Sequence, residues 1–575
     1  MRRTENFLIL KGARLLSLVA LVYSALTVFV FFNFIPRFNS ALIGPREDNM
    51  QDFWNTWYAA SRVRSFHDLL YTNLIRFPEG TTLYYHSFAY PKILLASFFG
   101  AFFGTRLTSL VGLENLLSLI SFPVSAVGAF YLARHFTRDV IGALIGGAIF
   151  ALNPSHIAHV AHHMHVSSIE FIPFFAWTFI LAEERRRWIF VLLSTLCFVL
   201  SALSSWYYLF YCFYFMVFYY LFLAVKRKLW LQAWPLLLIL YNLVGLLVLL
   251  SPLLAPMIVQ AVSGANVYAE GGDLYGADVV GYVAFPPSHL LFSISRGIYS
   301  QLSGNPWEAT VYLGLVNIAL LAWLVLRRKQ LDRNLIAFVL SGMALFGVLA
   351  SGEHLHLLGH PFIVRLFGRY RIPLPDRLLD LLPFFKNVRT PSRSILLAYM
   401  FLSIGVAYAI SVIWREHSGT WLGKTVVAGL ALVMALDWYP RPLPSTPLVC
   451  SQASVLLSQD SDRRAAVLDL PRGRINDRGY MEGNAYMTYQ ACHLHPIVDG
   501  TISRMVNITL ADRLVTDDLE QQRWQLVANN VKYIVIHRPD GDLFRWSPED
   551  GEMTQYMKAY PVFYSGEDAT ILRVY

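Results

Sequence analysis

Charge is scarce in this chain of 575 residues: Asp, Glu, Lys and Arg make up 15% of it, and hydrophobic residues 55%. That balance excludes a soluble globular protein of this size. Apolar runs near the roughly 20 residues needed to cross a bilayer recur from Leu15 to about Pro440. Cysteine is nearly absent as well. Cys197 and Cys212 lie in apolar runs and Cys450 and Cys492 near the C-terminus, which makes neither a disulfide framework nor a metal-type spacing. A Cys450–Cys492 bridge would require that region to lie outside the cell, and it is not expected. Neither a dinucleotide-binding glycine fingerprint nor a P-loop occurs. Repeats, low-complexity tracts and coiled-coil heptads are missing too. The first apolar run lacks a small-residue cleavage site and is too long for a removed signal peptide, so it should remain as a helix.

The formal charge of +9 does not point to nucleic acid, because the basic residues sit in short clusters between apolar runs. Arg185-Arg186-Arg187, Lys226-Arg227-Lys228 and Arg327-Arg328-Lys329 behave as positive-inside anchors. Placing every such cluster in the cytoplasm yields a polytopic α-helical protein of about eleven transmembrane helices. The first is Leu15–Ile35, the tenth Ser394–Trp414 and the last Thr425–Leu436. The N-terminus is then cytoplasmic, and the long polar connections share the outer face. Lys92–Phe103 is short and contains glycine, and it reads as a juxtamembrane or re-entrant segment; if it crossed, every later assignment would flip.

Residues 1–442 thus form a transmembrane domain with a first outer loop at 36–90. Residues 443–575, where charge returns, read as a soluble α/β domain on the outer side. Arg464–Leu470 and Val531–His537 alternate or run apolar like strands, with a helical stretch near Asp517–Asn529 before the second.

The candidate chemistry lies in the outer loops. Glu47, Asp48 and Asp52 are packed into six positions after the first span, followed by Phe53, Trp54, Trp57 and Tyr58 at helical spacing. Such a helix suits the membrane interface, with its aromatics at headgroup depth. A carboxylate partly desolvated there is expected to have a raised pKa and to serve as a base. His156, His159, His162, His163 and His165 cluster ahead of Glu170. His159 and His163, four apart, are weak candidates for a metal pair, and no His-Glu-x-x-His arrangement accompanies them. Glu170 near a span mouth would orient these histidines or bind substrate hydroxyls. Arg389 and Arg393, after Arg365, Arg369 and Arg371, oppose the positive-inside trend and suit an anionic phosphate. Trp307 and Glu308 suit substrate contact by stacking and hydrogen bonding.

With Pro78-Glu79-Gly80, Asn153-Pro154-Ser155-His156, Glu308–Gly314, Phe385–Arg393 and Tyr489–Pro496, the chain resembles the GT-C superfamily of integral-membrane glycosyltransferases, in particular its bacterial members. The likeness covers nearly the whole chain. It implies a GT-C-like fold in the bacterial inner membrane and transfer, typically inverting, of a hexosyl or pentosyl group from a polyprenyl-phosphate-linked donor. The acceptor would be a glycan, lipid or protein. It also implies a first-loop carboxylate as base, with Asp48 the first match, Asp52 the second and Glu47 the third. Arg389, Arg393 and Arg371 would bind the donor phosphate. His159, His163, Glu170, Trp54, Trp57, Trp307 and Glu308 would line the cavity. No cofactor is certain, and a divalent cation (Mg or Mn) is open. The alternatives are a transporter or flippase of lipid-linked saccharide, and a non-catalytic GT-C-derived scaffold.

Overall fold

The computed structural model describes residues 2–228, 230–263, 272–364, 370–379, 385, 388–472, 479–503, 508–538 and 551–575. Among them, eight helices are long and apolar enough to cross a membrane, and a bent pair, Val140–Ala151 with Pro154–Val160, makes a ninth. The helices Trp188–Ser204 and Leu315–Leu326 are shorter but apolar and fill two further expected segments. The protein is an integral membrane protein. Tyr90–Phe103 is a helix of 14 residues. At 1.5 Å per residue it is only about 21 Å long, short of the roughly 30 Å hydrocarbon core.

Helix Ile395–His417 is the centre of the bundle, buried from Ile395 to Val412. Val140–Ala151 crosses it closely because small residues line the seam: a Cβ on Gly146 would meet the Ser403 carbonyl and the Ala407 methyl. Such small-residue seams replace the hydrophobic drive that lipid does not supply. The first helix, by contrast, stands at the edge, with only 17% of its membrane window buried.

The C-terminal region contains a four-stranded sheet in the order Val562–Ser565, Ala569–Arg573, Val531–His537, Ala466–Leu470. Val531–His537 runs parallel to Ala466–Leu470, Val535 facing Asp469, and antiparallel to Ala569–Arg573. The helix Leu519–Ala528 precedes the second expected strand.

This region is joined to the first loop at three levels. Ala41–Ile43 pairs antiparallel with Ser445–Pro447. One hydrophobic core contains Phe53, Trp54 and Trp57 of the loop together with Val467, Tyr486 and Ile571 of the tail. Helix Gly479–His493 packs along helix Asp48–Ser61, and Trp54 Nε1 donates to Gln490 Oε1 at 2.7 Å. The structure corrects the cysteine reading, because Cys450 and Cys492 form a disulfide. It brings together two segments that no local spacing relates, and only the packed tail sets their Cα atoms 5.6 Å apart.

Candidate active site

Helix Asp48–Ser61 begins one residue after Glu47, and an acidic residue in its first turn complements the positive end of the helix dipole. Every residue from Asn49 to Ala60 is buried. The expected interfacial helix is therefore a core element: Trp54 and Trp57 are enclosed by protein rather than set at headgroup depth, and Trp54 stacks on Tyr58. The reason is the tail, whose helix covers the face that the sequence pattern assigns to lipid headgroups.

Opposite stands the histidine segment. Asn153 caps the short helix Pro154–Val160 by accepting the His156 N–H at 2.8 Å, with Pro154 at the first position. This helix departs by 44° from Val140–Ala151. The bend turns His159, His162 and His163 toward the first loop. Gly44 makes the approach possible, since a Cβ there would collide with the Ala161 carbonyl.

The resulting chain of contacts is continuous. Glu47 Oε2 meets His162 Nδ1 at 2.8 Å, and Asp48 Oδ2 meets His163 Nε2 at 3.0 Å. His163 Nδ1 lies 3.3 Å from His159 Nδ1, so at most one of these two nitrogens carries the shared proton. His159 Nε2 lies 3.5 Å from Glu308 Oε2. Glu308 grips Arg393 in a two-pronged ion pair, with Nε at 3.0 and 3.1 Å from its two oxygens and Nη2 closing on Oε1. Trp307 stacks on His162 with ring centroids 3.8 Å apart, and Arg393 lies over the Tyr207 ring.

Asp48 keeps about 30% of its side chain exposed. Burial pushes its carboxyl up, but the His163 hydrogen bond and the charges of His163, Arg393 and His162 outweigh that, and the net pKa lies below the ordinary value. This departs from the raised value expected of a half-desolvated loop acid, because the cationic partners come from distant segments. Asp52 does carry the raised value: burial comes first, Glu114 and Asp48 add to it, and the Met164 N–H, donating at 2.7 Å, only partly opposes them. Asp52 and Glu114 line a small cavity of about 10 Å³, the space of a single water. Asp52 does not reach the histidines.

The remaining expected residues divide. Glu170 is bound to Lys92 (Oε1–Nζ 3.2 Å) and does not orient the histidines. Arg389 is exposed and meets no carboxylate among the described residues. Arg371 lies 3.5 Å from Asp273, which also holds His354. Arg365 and Arg369 lie outside the described residues. One member of the site carried no local signal in the sequence. Asn484 Nδ2 donates to Asp48 Oδ1 at 3.3 Å, while its own Oδ1 accepts from Gln51 and Thr501. Those two donors fix which end of the amide faces the carboxylate.

His159, His163 and Glu308 each offer a ligand atom, all within 4.8 Å of one another. Two imidazoles and one carboxylate suit a borderline ion such as Zn, and of the two ions expected from the sequence they suit Mn better than Mg, which prefers all-oxygen octahedra. Asp48 on the far nitrogen of His163 is the outer partner that orients a metal-binding imidazole.

A family model described only as a domain of unknown function (DUF6311) matches residues 19–439, well over half of the chain. The chain belongs to that family. No curated protein matches its sequence. Among solved structures, the arabinofuranosyltransferase AftD from mycobacteria superposes with a TM-score of 0.54 at 12% identity, covering 98% of this chain and 41% of that one. The chain thus spans less than half the length of AftD. The apo oligosaccharyltransferase of Archaeoglobus fulgidus gives 0.50 at 12% identity, with 91% and 69% covered. Both neighbours are GT-C glycosyltransferases, and the fold of this chain is theirs.

Proposed function

We propose that this protein is a GT-C-type glycosyltransferase that moves a sugar from a polyprenyl-phosphate-linked donor to an acceptor hydroxyl on the outer face of a bacterial inner membrane. The observation that carries this reading is Asp48: a partly exposed carboxylate directly after the first span, held on one oxygen by His163 and on the other by Asn484. In the proposed step Asp48 takes the acceptor proton, directly or through His163. The acceptor oxygen bonds to the anomeric carbon, and the bond from that carbon to the phosphate oxygen breaks, with inversion. The electron pair leaves on polyprenyl phosphate. A carboxylate of low pKa is a weak base toward an alcohol in the ground state. It becomes effective because the hydroxyl acidifies as its bond to carbon forms.

Arg389 is the better partner for the departing phosphate, since Arg393 is neutralised by Glu308 and Arg371 is drawn to Asp273. A divalent cation bound by His159, His163 and Glu308 would supply further positive charge near that leaving group. Residues 443–575, as an outer domain, would cover the site and contact the acceptor. The disulfide supports their placement outside, because such bonds persist in oxidising compartments.

The test is release of polyprenyl phosphate from a panel of polyprenyl-phosphate sugars by the purified protein. Asp48→Asn should lower the rate about 10²- to 10⁴-fold while the protein folds normally. Full activity in that variant refutes the base, and movement of intact donor without cleavage refutes the transferase.

A further inference from the structure

On the far side of the strand Ala41–Ile43 from the candidate site lies a cavity of about 210 Å³ that the proposed reaction does not use. It opens where two spans end, just past Val30 of the first and Trp438 of the last. These two are the least embedded of the long helices, with 17% and 22% of their membrane windows buried, and they meet near this end through the Phe29 and Tyr439 rings, 5.9 Å apart. Its lining is mixed: Val30, Phe31, Phe34, Ile43 and Leu443 supply apolar surface, and Asn33 and Ser445 supply polar groups. Two guanidinium groups, Arg37 and Arg441, also line it. Their side chains meet neutral partners: Arg37 Nη1 donates to Ser445 Oγ at 3.2 Å, and Arg441 Nη2 donates to the Pro287 carbonyl at 2.6 Å while its guanidinium lies over the Phe292 ring. Neither forms an ion pair among the described residues.

Two arginines without a carboxylate partner among the described residues, beside a partly apolar cleft at the ends of two spans whose Phe29, Phe32, Leu432 and Leu436 are exposed, suit an amphiphilic anion. We infer that this cavity binds an anionic phospholipid, its phosphate between Arg37 and Arg441 and its acyl chains along the seam of the first and last spans. Guanidinium suits this role because its remaining N–H groups match phosphate oxygens. None of the residues lining this cavity belongs to the chain of contacts from Asp48 to Arg393, so the lipid held here is distinct from the sugar donor of the proposed reaction. Bound there, it fastens the thinly packed first helix to the last. The site also gives Arg37 and Arg441 a partner on the face where the positive-inside trend provides none.

The experiment uses the full-length protein in neutral detergent with photoactivatable phosphatidylglycerol or phosphatidylcholine, followed by mass-spectrometric mapping. Phosphatidylglycerol should label peptides containing Phe31, Phe34 or Leu443. Unlabelled phosphatidylglycerol should compete, whereas phosphatidylcholine, inorganic phosphate and polyprenyl phosphate should not. The R37A/R441A double variant should lose about tenfold or more of the labelling. Equal labelling by phosphatidylcholine, competition by inorganic or polyprenyl phosphate, or undiminished labelling of a folded double variant each overturns the inference. The competition arms on the unmutated protein decide the matter if the variant fails to fold. Because no arm measures sugar transfer, the outcome is independent of the proposed activity.

Discussion

Asn484, in the tail helix, donates its side-chain amide to Asp48 Oδ1 at 3.3 Å across 436 residues of sequence. Its Oδ1 is held in turn by Gln51 and Thr501, so the amide points its N–H toward the carboxylate and not away from it. The tail therefore helps set the direction in which Asp48 presents its free lone pairs. Replacing Asn484 by Ala should lower the rate of polyprenyl-phosphate release about ten- to hundredfold, the worth of one hydrogen bond to a charged group. The melting temperature should fall as well, because Gln51 and Thr501 lose a buried acceptor, and an unchanged rate in the folded variant would detach Asn484 from the site.

The buried pair Glu308–Arg393 gives a second expectation. Glu308→Gln leaves the Arg393 guanidinium without a counter-charge in the bundle interior and should destabilise the protein by about 3–5 kcal/mol. The double change Glu308→Leu with Arg393→Met should recover most of that loss in a thermal melt and yet remain inactive.

Asp52 makes the pH dependence specific. Its folded pKa is raised, so the folded state binds its proton more tightly than the unfolded chain does. The stabilisation this provides is fully present below the ordinary aspartate value near 4 and is lost as pH rises toward the folded pKa. Asp52→Asn keeps an oxygen for the Met164 N–H and removes the titration. Melting curves should show the variant more stable than the parent at pH 8, with the difference vanishing near pH 4. A constant difference across that range would count against a titrating Asp52.

Cys450 and Cys492 close a loop of 42 residues, for which the loop-entropy relation gives roughly 4 kcal/mol. The C450S/C492S protein should melt at a lower temperature by about that equivalent. In the unreduced, denatured parent a maleimide should label only Cys197 and Cys212, the two unpaired cysteines. Labelling of all four places the tail in a reducing compartment.

His159, His163 and Glu308 predict a metal requirement with a particular preference. Chelation should reduce transfer, and Mn should restore it at lower concentration than Mg. The variant H159A/H163A should lose bound Mn as measured by elemental analysis.

Much of the architecture is legible along the chain. Apolar length marks the spans, and the helix at Asp48–Ser61 follows from aromatic spacing, as do the strands near 466 and 531 from their apolar runs. The site is legible only in part. The histidine cluster and the first-loop acids are visible as residues, but their pairing is not, because Glu47 meets His162 and Asp48 meets His163 only after the 44° bend and the close approach at Gly44. Glu170 looks like a partner of the histidines in sequence and is taken instead by Lys92. Trp54 and Trp57 read as interfacial, and the tail buries them.

By itself the sequence determined that this chain is a multi-span membrane protein with acids and histidines gathered in its polar loops. Hydrophobic length and local periodicity are properties of contiguous residues, and they survive any rearrangement of the parts. The tertiary structure alone decided that Asp48 stays partly exposed while Asp52 is buried, which arginine is already paired, and that the tail reaches Asp48. Those outcomes depend on burial and on charges brought within a few ångströms from segments hundreds of residues apart, and no local pattern encodes such distances.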